Sequence, residues 1–142
     1  MYTFLVHAHS GLRYLILIVA AVVIIKSLFG WVSKSSYAKI DKILAPSYVG
    51  LMHLQLLIGL ILYFVLSPLV TYQMGDKFSR YWSVEHIAIM ILAVVAAQVG
   101  RSISKKKSDD ITKFKLQTIF FGSSILIVLL GLATMPGRGI LG

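Results

Sequence analysis

Four long apolar stretches alternate with short polar ones along the chain. They run from about Leu5 to Val32, Pro46 to Leu66, Trp82 to Gly100 and Phe114 to Met135. A helix needs about 20 mostly apolar residues to cross the hydrocarbon core of a bilayer. The pattern therefore predicts an all-α protein, a four-helix transmembrane bundle occupying residues 1–142 as one domain. The second span has the option of continuing past Pro68 to Tyr72. Charges within the spans are few, with Arg13, Lys26 and Glu85 the main ones. Pro46 suits the first turn of a helix, where its missing N–H costs nothing. Ser67-Pro68 is expected to end or kink the second span, and Pro136-Gly137 to close the fourth. Ser83, Glu85 and His86 read as the start of the third, with the acid near the positive end of the helix dipole. The first stretch has no basic leader and no small-residue cleavage site, and Lys26 lies within it, so it reads as a retained span.

Charge supplies an orientation. The first loop holds Lys34, Lys39 and Lys42; the third holds Arg101, Lys105, Lys106, Lys107 and Lys113; the middle loop holds only Lys77 and Arg80. Short loops rich in Lys and Arg stay on the cytoplasmic side. The asymmetry places loops 1 and 3 inside, and the middle loop and both termini outside. It also gives the net charge of +9 a meaning other than nucleic-acid binding, in a chain that is 58% hydrophobic and 13% charged. The basic loops fit anionic lipid head groups. Trp31, Tyr37, Tyr48, Tyr72, Tyr81 and Trp82 flank the spans in the manner of interfacial belts, with Tyr14 and Tyr63 deeper. Small residues mark helix contacts: Ala93, Ala97 and Gly100 on one face of the third helix, and Gly122, Gly131 and Ala133 on the fourth. With no cysteine, disulfides, iron–sulfur clusters and thioether-linked haem are excluded.

The four histidines, His7, His9, His53 and His86, all fall in or beside spans. Ionisable groups inside a membrane are costly and point to function. At about 1.5 Å of rise per residue, His9, Arg13 and His86 share one layer in the outer leaflet. Arg13 follows His9 by four residues and shares its face, whereas Glu85 points elsewhere. His53 lies roughly 10 Å or more below His86 by the same rise, in a half that also holds Gln55, Gln98, Gln117 and Thr118, each able to hydrogen-bond its ring. Two histidines at matched depth on different helices suit the axial ligation of haem b. His9, with His7 as its substitute, and His86 meet that condition, and Arg13 is placed to pair with a haem propionate. His53 is left for a quinone contact or for ligation after a shift of register. Each residue also has a plainer reading: His7 and His9 as interfacial groups, His53 as a hydrogen-bonded packing residue, His86 as a satisfied polar group at a helix start, and Arg13 snorkelling to the surface. Zinc is weaker, because His7 and His9 diverge if helical. No hydrolytic triad is visible, since Asp41, Asp76, Asp109 and Asp110 all fall in loops.

Three short motifs carry a resemblance. They are His9-Ser10-Gly11-Leu12-Arg13-Tyr14, His53-Leu54-Gln55-Leu56-Leu57-Ile58-Gly59, and Glu85-His86 followed by Met90. In this order the chain resembles the small four-helix bacterial membrane proteins labelled cytochrome B, of Bacteroidetes type. The resemblance implies haem b, respiratory electron transfer, a multi-pass place in the bacterial inner membrane, and partners among respiratory subunits or further copies of the chain. The fourth helix has no histidine, so one haem is expected rather than two. The chain then reads as an electron carrier or subunit rather than a stand-alone enzyme. The competing expectation is a haem-free structural or accessory subunit of a larger respiratory or transport complex. Ion passage is disfavoured, because the apolar run from Leu15 to Ile25 offers no polar file.

Overall fold

A computed structural model describes residues 1–66 and 68–136. Helix α1 spans Tyr2–Ser33, α2 spans Lys39–Ile61, the short α3 spans Lys77–Arg80, α4 spans His86–Ser104 and α5 spans Asp110–Ala133. Two π-helical turns, Leu62–Leu66 and Tyr81–Glu85, extend α2 and join α3 to α4. Four continuous helical segments, Tyr2–Ser33, Lys39–Val65, Lys77–Ser104 and Asp110–Ala133, are long and apolar enough to cross a membrane. Between 22% and 33% of each apolar window is buried in the protein. The remainder, including Ile18, Ile25, Phe29, Leu92, Leu126 and Leu130, faces outward. Such a surface needs lipid as its solvent.

Three helix starts differ from the sequence reading. The second helix begins at Lys39, so Pro46 lies inside it rather than in its first turn. The cause is Asp41, whose carboxylate accepts the Ala38 N–H at 2.9 Å and the Lys26 ammonium at 3.0 and 3.3 Å. A carboxylate at the third helical position that reaches back to the preceding N–H nucleates a helix there. The third segment begins at Lys77, with the Asp76 side chain accepting from Ser79 N–H at 2.9 Å. Ser83 and Glu85 therefore do not start a helix; they lie in the π-turn, and Glu85 pairs with Arg80 at 3.0 Å. The fourth starts at Asp110, capped by Asp109, which accepts from the backbone and hydroxyl of Thr112. Those two bonds hold the exposed Asp109 carboxyl below its ordinary pKa. The second span stops at Leu66, and Pro68 lies in a turn leading to Tyr72, well outside the helix. Ser67 and Gly137, expected to help end the second and fourth spans, lie outside the described residues.

The helices pack in the ring order α1, α2, α4, α5. So α1 stands diagonally opposite α4, and α2 opposite α5. Small residues set the closest seams. A side chain at Gly30 would overlap the Phe114 ring, one at Gly100 would overlap Phe120, and one at Gly131 would overlap Met90 and Ile89. Ala93 and Ala97 are fully buried beside them. Gly122 has nothing within reach and is no contact point.

The half of the bundle nearest the lysine-rich loops is filled. Tyr48 reaches across the α2–α5 diagonal to Ser124 at 2.8 Å, and Ser124 donates to the Ala93 carbonyl at 2.7 Å. Phe121 packs against Tyr48. Nearer the loops, Ser27 donates to Gln117, Gln117 to Tyr37, and Tyr37 to the Asp41 carbonyl. Burial raises the Tyr37 phenol above its ordinary pKa. Tyr48 and Tyr81 are fully buried rather than interfacial, because each hydroxyl finds a partner inside.

Candidate functional site

Beyond the Tyr48–Ser124 bridge, towards the middle loop, the bundle opens into a cavity of about 300 Å³. All four spanning segments line it. Its walls are mainly apolar, with Ile16, Met52, Val94 and Val128 among the residues lining it. Its polar members are few and convergent, the usual make-up of a ligand pocket.

His9 and His86 face one another across this cavity on the diagonal pair α1 and α4. Their ring centroids are 6.2 Å apart and their planes cross at 72°. The His9 ring points its Cε1 edge at α2 where Gly59 lies; a methyl group there would come within 3.1 Å of Cε1. Glycine at 59 is thus what lets the imidazole sit between helices. The carbonyl of His9 accepts from Gln55 Nε2 at 2.8 Å, which fixes the first turns of α1 against α2. On the other side, His86 packs against Trp82 with centroids 5.4 Å apart and against Tyr81 at 5.6 Å. Arg13, one turn below His9, lines the same cavity. One guanidinium nitrogen donates to Tyr14 at 3.0 Å, and the group lies over the Tyr14 ring.

Polar accounting singles this cavity out. Among the described residues, four buried side-chain atoms have no hydrogen-bond partner: His9 Nδ1, Arg13 Nε, Gln55 Oε1 and Trp82 Nε1. All four belong to residues that line the cavity. Leaving a buried donor or acceptor unpaired costs about 1–3 kcal/mol. Native proteins hold few such groups, and their gathering around one space makes this cavity the candidate site.

The sequence reading grouped His9, Arg13 and His86, and the structure brings these three together. His7 is exposed on the outside of α1 and takes no part in the cavity. His53 is also exposed, on the lipid side of the α2–α4 seam, where it bonds Gln98 at 2.8 Å; Gln98 in turn donates to Ser102. Of the glutamines expected near His53, Gln98 holds it. Gln55, two residues on and therefore on the opposite side of α2, serves the cavity instead. Along α2, His53 lies about 9 Å from Gly59, the residue packed on His9. Both its depth and its outward face keep it from the histidine pair. Of the two residues read as belt residues, Trp82 lines the cavity, and Tyr81 is buried behind it against His86 and the Gly131 carbonyl. Trp82, four residues before His86, would share its face in any helix, whereas Tyr81, five before, reaches it only through the π-turn. No cluster of three or more metal-ligating side chains exists among the described residues. Comparison with known families, curated proteins and solved structures finds no match for this chain.

Proposed function

We propose that the protein is a membrane b-type cytochrome that carries electrons through one haem b, held between His9 and His86 at the bundle end away from the lysine-rich loops. The observation that carries the reading is the diagonal histidine pair in a cavity lined by the four residues that hold unpaired buried polar atoms.

The fit can be examined on three counts. The His9 and His86 ring centroids are 6.2 Å apart, which leaves room for one metal ion within about 2 Å of a nitrogen of each ring. The ligand set is two neutral imidazoles from facing helices, the arrangement helix bundles use to hold cofactors. Arg13 offers an unpaired Nε–H for a propionate, and Trp82 Nε1–H is a second spare donor on the same cavity. When bound, haem supplies reversible one-electron exchange at its iron. The protein's own part would be to offer one ring nitrogen from each of His9 and His86, set the Arg13 charge beside a carboxylate, and keep water out with apolar walls. His7 and His53 are not ligands in this reading.

The resemblance of the His9–Tyr14, His53–Gly59 and Glu85–Met90 segments to small bacterial cytochrome B proteins supports the same function. The loop charge would put that haem on the periplasmic side of a bacterial inner membrane.

The test is an absorption spectrum of protein purified after expression with ample haem. Soret and α bands are expected in the wild type, in H7A and in H53A, and their loss is expected in H9A and H86A. A colourless wild type that co-purifies with larger membrane proteins would instead support a haem-free accessory subunit.

A further inference from the structure

The π-turn at Tyr81–Glu85 has a chemical consequence for His86. In an α-helix, residues five apart point about 140° away from each other. A π-turn bonds residue i to i+5, and here the His86 N–H donates to the Tyr81 carbonyl. That widening stacks the two side chains on one side, with the Tyr81 hydroxyl 3.3 Å from His86 Nδ1.

A phenol has one proton to give. Tyr81 spends it on the Gly131 carbonyl at 2.7 Å. That carbonyl has no backbone donor, because α5 ends at Ala133 and the Met135 N–H turns to Leu132, so it takes hydroxyls instead, Thr134 at 3.1 Å beside Tyr81. It is near enough because glycine at 131 lets α5 settle onto Ile89 and Met90 of α4. The Tyr81 oxygen therefore has only lone pairs left for His86, and the hydrogen in that contact must come from Nδ1. A neutral imidazole with its proton on Nδ1 carries its free lone pair on Nε2. Nε2 of His86 makes no hydrogen bond among the described residues, and His86 lines the cavity.

We infer that Tyr81, anchored on the Gly131 carbonyl, is a positioning residue that fixes His86 as the Nδ1–H tautomer and so presents Nε2 as the electron-pair donor of the site. The inference rests on the cytochrome reading for its purpose, but the tautomer can be measured without haem.

Two measurements separate the two ideas. Apoprotein labelled with nitrogen-15 histidine in micelles, with H86Q identifying the His86 signals, reports which ring nitrogen carries the proton. The expected result is a proton on Nδ1 in the wild type and a shift of population towards Nε2–H in Y81F. A wild-type His86 protonated on Nε2, or a Y81F spectrum unchanged from it, overturns the inference. The wild-type spectrum suffices if Y81F does not accumulate. In the second measurement, haemin titration and redox potentiometry compare wild type with Y81F. Removing a partner of a ligating histidine weakens binding roughly 10–100-fold. Y81F should show that loss and a more positive midpoint potential, because His86 becomes a poorer electron donor. Unchanged affinity and potential refute the positioning role. A wild type that shows the Nδ1–H tautomer but takes up no haem sinks the cytochrome reading and leaves the tautomer assignment standing.

Discussion

Asp41→Ala provides a demanding test of how the lysine-rich end of the bundle is held. Asp41 is 3% exposed and serves two partners at once. Its Oδ2 accepts the Ala38 N–H at 2.9 Å, and both oxygens accept from Lys26, at 3.0 and 3.3 Å. Losing the helix-start bond costs about 1 kcal/mol. Losing hydrogen bonds to a charged group costs about 1.5–3 kcal/mol. Lys26 is 36% exposed, so its ammonium can swing to water and recover part of that, and the low end applies. Asp41→Ala should therefore destabilise by about 2–3 kcal/mol in all. Asp41→Asn keeps an acceptor for Ala38 but loses the charge, and should cost about half as much. Lys26→Met should cost little more in the Asp41→Ala background than nothing, because its partner is already gone. Reversible unfolding in mixed micelles, followed by circular dichroism, measures all three variants against the wild type. The cavity is remote: Asp41 to Gly59 is about 27 Å along α2. Any haem bands should thus be unchanged in Asp41→Ala. An Asp41→Ala variant within about 0.5 kcal/mol of wild type, or an Asp41→Asn variant as damaging as alanine, would refute the reasoning.

Further expectations follow from the packing. Gly59→Leu should abolish haem uptake while the helical content measured by circular dichroism is retained, because the His9 ring occupies the space a side chain needs; normal loading would contradict the cavity geometry. Gly131→Ala places a methyl 2.7 Å from Met90 Cε, and should cost about 1–3 kcal/mol in the same unfolding assay despite alanine's better helix propensity. Tyr48→Phe removes the hydroxyl bridge to Ser124 and should cost about 1 kcal/mol, with Ser124 still bonded to Ala93. Lys34 ends α1 in the left-handed region at φ 55°, so Lys34→Gly should stabilise slightly, read as a higher unfolding midpoint.

The spans were legible because lipid imposes a length and a composition on each of them, and local errors in Pro46 or Ser83 could not disturb that. The starts at Lys39 and Lys77 were less legible. They depend on Asp41 and Asp76 as capping carboxylates, and Asp41 gains its weight from Lys26, fifteen residues away in another helix. Depth was readable from the helix rise, which is why His9, Arg13 and His86 could be grouped. Direction was harder to read. That His53 faces lipid while Gln55 faces inward depends on how α2 is rotated in the bundle, and nothing in its own segment settles that. The role of Tyr81 was hidden for a further reason: five-residue spacing puts side chains apart in an α-helix, and a π-turn has no reliable sequence signature.

The diagonal placement of the two histidines also bears on how the molecule is put together. His9 comes with its own supports, Gln55 and Gly59, from the same helical hairpin, α1 with α2. His86 comes with Tyr81 and Gly131 from the other hairpin, α4 with α5. Each hairpin thus carries one histidine together with that histidine's own supports. The Tyr48–Ser124 and Ser27–Gln117 bonds already join the hairpins at the other end. A group held between the histidines would act as a rivet at the open end, and the two halves of the chain, made as separate polypeptides, should associate more tightly when that rivet is supplied.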